Sequence, residues 1–162
     1  MTSIRTGVCK GVMHAVLCRP EQRNSLTSEM FSLLCEALDR AAKETTVKVL
    51  MLSGAGSNFT AGADPEDLQL QHPRREAESI DIVFLSKFAA FPKPVVAAVE
   101  GWALGVGTRM LLHCDVVYVA EDARLAPSFD KVRRTGTVNH VLPAADVLYY
   151  AAQQAERLAR QP

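Results

Sequence analysis

Apolar residues change their period several times along this 162-residue chain, and each change predicts an element. Residues 11–18 (Gly-Val-Met-His-Ala-Val-Leu-Cys) form a short apolar run, predicting a strand hairpin-paired with one before it. Arg19-Pro-Glu-Gln-Arg-Asn24 reads as a turn, because proline presets φ and asparagine suits turn geometry. From Thr27 the period becomes helical. Met30, Leu33, Leu34, Ala37, Leu38 and Ala41 recur at three- and four-residue spacing and mark a core-facing stripe. Thr27 or Ser25 can cap that helix, and Glu29 lies where the helix dipole favours a negative charge. Residues 47–53 predict a second strand. After a polar break at 71–75, residues 77–91 read as a helix, which Pro92 and Pro94 stop. Residues 95–99 predict a strand, 107–113 a short helix, and 115–120 another buried strand. Residues 124–129 begin like a strand, 130–136 are polar without amphipathic pattern, and 138–142 are again strand-like. Pro143 then introduces a helix with Ala144, Leu148, Ala151, Ala152, Ala155 and Leu158 on one face. Alternating strands and helices predict an α/β fold.

Two segments in this pattern carry candidate chemistry. Ser57-Asn-Phe-Thr-Ala-Gly-Ala-Asp64 and Gly101-Trp-Ala-Leu-Gly-Val-Gly107 each leave the carboxyl end of a predicted strand and open into a predicted helix. That end of the strands is where α/β proteins generally place ligands. A helix start carries N–H groups that no intrahelical carbonyl satisfies. Glycine and alanine let a ligand carbonyl approach such a backbone closely. Two such starts aimed at one point would stabilise a developing oxyanion without a charged side chain.

Eighteen basic and eighteen acidic residues cancel, so the charge balance offers no footprint for nucleic acid or an acidic membrane surface. No apolar run approaches a membrane span, and the N-terminus lacks the apolar core of a secretory signal. Cys9, Cys18, Cys35 and Cys114 lack CxxC spacing and read as buried thiols of a reducing, cytoplasmic environment; no metal site is expected. GxSxG, HExxH and Walker patterns do not occur. His113 and Cys114 adjoin in sequence, where helical side chains diverge, so a Cys–His nucleophile pair is not expected. Trp102 reads as core or pocket wall, and His140 as a strand residue. Arg74-Arg75 and Arg133-Arg134 read as solvated charge, though either pair could meet phosphates.

Arg19-Pro-Glu-Gln-Arg-Asn-Ser-Leu26, Phe59-Thr-Ala-Gly-Ala-Asp64 and Lys93-Pro-Val-Val-Ala-Ala-Val-Glu-Gly101 occur in that order. Ala103-Leu-Gly-Val-Gly107, Cys114-Asp-Val-Val-Tyr118 and Gly136-Thr-Val-Asn-His-Val-Leu-Pro143 follow. Together they resemble the enoyl-CoA hydratase/isomerase (crotonase) family. The resemblance implies a single domain over 1–162, an α/β spiral of ββα units, truncated and with a deletion near 130–136. It implies CoA thioesters of fatty-acid metabolism as substrates, with no further cofactor, nucleic acid or membrane partner. Family members assemble as trimers or hexamers, so a homotrimer or hexamer would be expected of an untruncated chain.

Carried over by residue, the resemblance assigns oxyanion-hole N–H groups to Ala63 and Val106. CoA-binding positions fall on Glu21, Gln22, Arg23, Ala61, Ala63, Asp64, Pro65, Glu66 and Val106. The β-branched side chain of Val106 is expected to narrow the approach to the hole, as in the isomerase branch. One glutamate of the hydratases corresponds to Arg109, which cannot take a proton. The second would lie in the region of the deletion. Of the remaining carboxylates, Asp64, Glu66, Glu100, Glu121 and Asp130, Asp130 is the candidate substitute base; Asp64 is equally suited to capping a helix. Val106 and Arg109 together point to Δ3,Δ2-enoyl-CoA isomerisation through an enolate. The alternative is a catalytically inactive acyl-CoA-binding or assembly subunit.

Overall fold

The computed structural model describes residues 2–70, 79–126 and 138–162. Strands β1 (Ile4–Cys9) and β2 (Val12–Leu17) form the expected hairpin, with Lys10 and Gly11 both at positive φ in the turn. Two left-handed residues give a turn whose twist matches that of the strands. A 3-10 turn at Pro20–Gln22 leads into α1 (Ser28–Lys43), where the Thr27 hydroxyl accepts the Met30 N–H at 3.2 Å. Then come β3 (Val49–Gly54), α2 (Pro65–Leu70), α3 (Ile80–Ala89), β4 (Val95–Val99) and the two-residue β5 (Trp102–Ala103). α4 (Val106–Leu112), β6 (Val116–Ala120), β7 (Arg124–Leu125), β8 (His140–Leu142) and α5 (Val147–Ala159) complete the described elements.

The main sheet has the order β1-β2-β3-β4-β6-β8, antiparallel only between β1 and β2; β5 and β7 pair separately in parallel. The expected ββα order appears in β1-β2-α1 and again in β4-β5-α4. Both faces of the sheet are covered, and this explains why its strands are apolar without alternation. Leu50, Leu52, Val95, Ala97, Val99, Val117 and Val119 face a core shared with α1, α3 and α4. Their neighbours Val49, Met51, Val96, Ala98, Tyr118 and Ala120 face α5 instead. α5 meets them with Val147, Ala151 and Ala155, all fully buried, and the two alanines let the helix lie close to the sheet.

Several boundaries differ from the sequence reading. Pro143 accepts a turn bond from the Asp146 N–H at 2.9 Å, so the last helix starts at Val147. Ala144 precedes it, and Leu148 is exposed, because the buried face runs through 147, 151 and 155. The helix expected over 77–91 spans Ile80–Ala89; residues 77 and 78 lie outside the described residues. Cys9 ends the edge strand and is exposed; Cys18 and Cys114 are half-buried, and only Cys35 is buried. The deletion inferred near 130–136, together with Asp130 and Arg133-Arg134, falls outside the described residues, as does Arg74-Arg75.

Polar side chains fix how the layers join. Lys93 Nζ donates to the carbonyls of Ala41, Glu44 and Val47 at 2.6, 2.9 and 2.7 Å. It thereby caps the carboxyl end of α1 and anchors the start of β4 beneath it. Asp115 accepts the Val95 N–H at 2.7 Å, setting the register of β6 against β4. Lys93→Met keeps the alkyl stem and removes the shared donor. The loss should be about 2–3 kcal/mol, seen as a lower urea midpoint with an unchanged slope.

Candidate functional site

The two small-residue loops leave neighbouring parallel strands, β3 and β4, and pair with one another. Phe59 N–H donates to the carbonyls of Glu100 (2.8 Å) and Trp102 (3.1 Å), Thr60 N–H to Trp102 (2.9 Å), and Leu104 N–H to Thr60 (3.0 Å). Gly62 has φ +96, and a Cβ there would stand 3.1 Å from the Leu104 carbonyl oxygen and 3.9 Å from the Gly105 Cα. Gly105, at φ 55 and ψ −118, is the residue before α4, in a conformation open essentially to glycine alone. The residues that follow these two glycines are Ala63 and Val106.

Ala63 forms a parallel bridge with Leu26: Leu26 N–H donates to the Gly62 carbonyl (2.8 Å) and Asp64 N–H to the Leu26 carbonyl (2.9 Å). Extended backbone alternates its bonding direction, so the Ala63 peptide N–H points away from Leu26. Val106 begins α4, before any intrahelical acceptor is available. Among the described residues neither N–H donates to a protein acceptor. The Val106 side chain is buried in the core.

The turn at 19–24 is sewn to the first loop by a buried asparagine. Asn24, at φ 58, accepts the Arg19 N–H through Oδ1 (2.8 Å) and donates Nδ2 to the carbonyls of Ala55 (2.9 Å) and Asn58 (2.8 Å). Its carbonyl takes the Thr60 hydroxyl at 2.6 Å. Asn58 in turn accepts the Trp102 N–H at 3.0 Å, extending the tie to the second loop. These groups complete one polar network around buried Asn24 and Thr60. The loops and the motif holding them were candidates in the sequence, but no bonding role was assigned to Asn24, Asn58 or Thr60.

Arg19 and Asp64 supply the second tie. Arg19 Nη1 lies 3.0 Å from Asp64 Oδ2 and also donates to the Ser25 carbonyl (2.9 Å) and hydroxyl (3.0 Å). The Ser25 hydroxyl meets the same carboxylate oxygen at 3.1 Å, while Asp64 Oδ1 accepts the Asp67 N–H at 3.0 Å. Asp64 is thus the cap of α2. Asp67 repeats the device, accepting Ser28 N–H (3.0 Å) and hydroxyl (2.6 Å) at the start of α1. The Asp67 N–H bond holds the Asp64 carboxyl below its ordinary range, helped by Arg19 and Ser25 and opposed by burial.

A cleft of about 460 Å³ opens beside this cluster, lined by Arg19, Gln22, Ser25, Ala61, Ala63, Asp64, Pro65 and Glu66. It gathers six of the positions expected to bind CoA. Glu21, Arg23 and Val106 are not on its lining; Glu21 and Arg23 are exposed on the turn, and the Arg23 guanidinium lies 5.0 Å from the Trp102 ring centre. Arg109 is exposed on α4. Glu66 and Glu121 are exposed; Glu100 is half-buried, and burial, reinforced by Asp122, raises its carboxyl. Asp130 lies outside the described residues.

The remaining candidates do not converge. The Cys114 thiol donates to the Met110 carbonyl (3.3 Å), and burial pushes it up; the His113 ring lies 6.3 Å from Phe88. His140 stacks on Tyr118 at 5.4 Å. Among the described residues no group of three His, Cys, Asp or Glu is placed to hold a metal ion, and no helix is long and apolar enough to cross a membrane.

Comparison with known proteins gives a consistent result. The family model described as enoyl-CoA hydratase/isomerase matches residues 7–133. A 1,2-epoxyphenylacetyl-CoA isomerase of Escherichia coli K12 is 35% identical over 82% of this chain and 53% of its own length. A mitochondrial Delta(3,5)-Delta(2,4)-dienoyl-CoA isomerase of Rattus norvegicus is 32% identical over 73% of this chain and 40% of its own. An enoyl-CoA hydratase/isomerase structure from Pseudoalteromonas atlantica T6c superposes with a TM-score of 0.89 at 25% identity, covering 99% of this chain and 78% of that one. The chain spans about half the length of the curated relatives it matches.

Asp64 makes a pH-dependent contribution. Its folded carboxyl titrates below the ordinary 3.8, so the stabilisation is complete above that value and disappears as pH falls through the depressed one. Asp64→Asn retains a capping side chain and removes the charge. At pH 7 it should cost about 1–3 kcal/mol, and urea melts of the two chains should converge in strong acid.

Proposed function

This chain belongs to the enoyl-CoA hydratase/isomerase family, with the α/β fold of the crotonase type, and on that premise we propose that its cleft takes a CoA thioester. In this reading the thioester carbonyl receives hydrogen bonds from the Ala63 and Val106 N–H groups. The observation that carries it is the contact of Gly62 with Leu104 and Gly105, which brings these two acceptor-free peptides onto adjoining chains. The chemistry is removal of an α-proton, storage of the charge as a thioester enolate, and reprotonation at the γ-carbon, as in a Δ3,Δ2-enoyl-CoA isomerase. Peptide dipoles held by the surrounding bonds stabilise the enolate oxygen without reorganising. Asp130 is the candidate base.

One observation favours a second reading. By the family resemblance Arg109 falls where a hydratase glutamate is expected; it is exposed on α4, and an arginine cannot relay the proton. A hole without a base would bind thioesters and turn over poorly, making the chain an acyl-CoA-binding or assembly subunit. A positioned acid or base is worth about 10²–10⁴-fold in rate. Turnover of 3-enoyl- and 2-enoyl-CoA by the purified chain, with CoA binding measured alongside, separates the two. Isomerisation lost in Asp130→Asn supports the enzyme; binding without turnover supports the subunit.

Val106→Pro tests the hole itself. Proline is tolerated at the first helical position, where no intrahelical bond is lost, yet it removes the donor N–H. The variant should fold and bind CoA, and turnover should fall about 10²–10³-fold. Undiminished turnover would remove Val106 from the mechanism.

A further inference from the structure

Two arginines stand on the same turn and meet different fates. Arg19 is neutralised by Asp64, while Arg23 has no ion-pair partner among the described residues. Arg23 sits at φ 50, where a non-glycine residue is uncommon. Its N–H bonds to the Pro20 carbonyl (3.1 Å), and its own carbonyl takes the Ala61 N–H (3.0 Å). The backbone on both sides of the side chain is therefore tied, one bond reaching the loop that lines the cleft. The guanidinium lies over the indole of Trp102, 5.0 Å from the ring centre.

Trp102 is held independently. Its N–H donates to Asn58 Oδ1, its carbonyl accepts from Phe59 and Thr60, and it pairs with Arg124 between β5 and β7. Stacking engages the face of a guanidinium and leaves its N–H edges free. Those edges match a phosphate in paired hydrogen bonds, which a flexible, strongly hydrated lysine would not reproduce. We propose that Trp102 is a positioning residue, whose indole holds Arg23, next in sequence to Gln22 of the cleft lining, for a phosphate of the CoA nucleotide. This rests on the reading of the cleft as a CoA-thioester site and adds the residue that prepares its charge.

The test is calorimetric binding of CoA and of acetyl-pantetheine, which lacks the nucleotide phosphates, to the 162-residue chain and its variants. Trp102→Leu should weaken CoA binding about 2–5-fold and leave acetyl-pantetheine unaffected. Trp102→Phe, which keeps an aromatic face, should recover most of the loss. In an Arg23→Gln background Trp102→Leu should have no further effect, and about 0.5 M salt should shrink the difference. Equal weakening of both ligands, or a full Trp102→Leu effect without Arg23, would make the indole merely structural and overturn the proposal. Unchanged CoA binding by Trp102→Leu would overturn it while leaving the cleft reading intact. A wild-type chain that binds neither ligand would overturn both.

Discussion

The backbone pairing of the two loops beyond β3 and β4 is the constraint on which the site depends. Phe59 and Thr60 bond to Glu100, Trp102 and Leu104 as if a short strand pair continued past the main sheet. Parallel strands deliver both loops to the same edge, and their spacing leaves the loops within hydrogen-bonding distance of one another. Small residues then become a requirement of contact, since a side chain on Gly62 would press on the Leu104 carbonyl. The free peptide groups of Ala63 and Val106 are a by-product of that pairing. Ala63 turns its N–H away from the bridge to Leu26, and Val106 starts a helix.

Polar side chains hold this arrangement where backbone bonds end. A buried polar group without a partner is costly, so a network that satisfies every member admits few alternatives. Asn24 bonds to the turn it belongs to, to two loop carbonyls, and through its own carbonyl to Thr60. Asp64 joins Arg19, Ser25 and the start of α2, and Asp67 joins α2 to the start of α1. The cleft wall is therefore continuous with the capping of two helices. Helix capping and the cleft wall share residues here, so a charge removed from the wall acts on stability as well as on the proposed site.

The electrostatics suit a carbonyl ligand better than a free anion deep in the site. Arg19 is paired with Asp64, leaving neutral peptide donors beside Ala63, while Arg23 on the same turn lies over Trp102. That division suits the proposed ligand, with phosphates at one end and a thioester at the other.

Local pattern determined the elements of this protein. Strands expected at 47–53, 95–99 and 115–120, found at 49–54, 95–99 and 116–120, and the helix expected from Thr27, found from Ser28, follow from period and capping because both sheet faces are covered and α1 is amphipathic. The ordered motifs identified the family, and the comparisons agree over residues 7–133. The two loops were legible as candidates only as a pair, since a single small-residue turn is usually just a turn. Local pattern misplaced the start of α5 and the exposure of Leu148 and Cys9. Each depends on which face a neighbour covers. Only tertiary structure joined Arg19 to Asp64 across 45 residues, placed Asn24 between two loops, and laid Arg23 on Trp102. Period and propensity report on a residue's own element, and these partners meet only after the strands between them have paired.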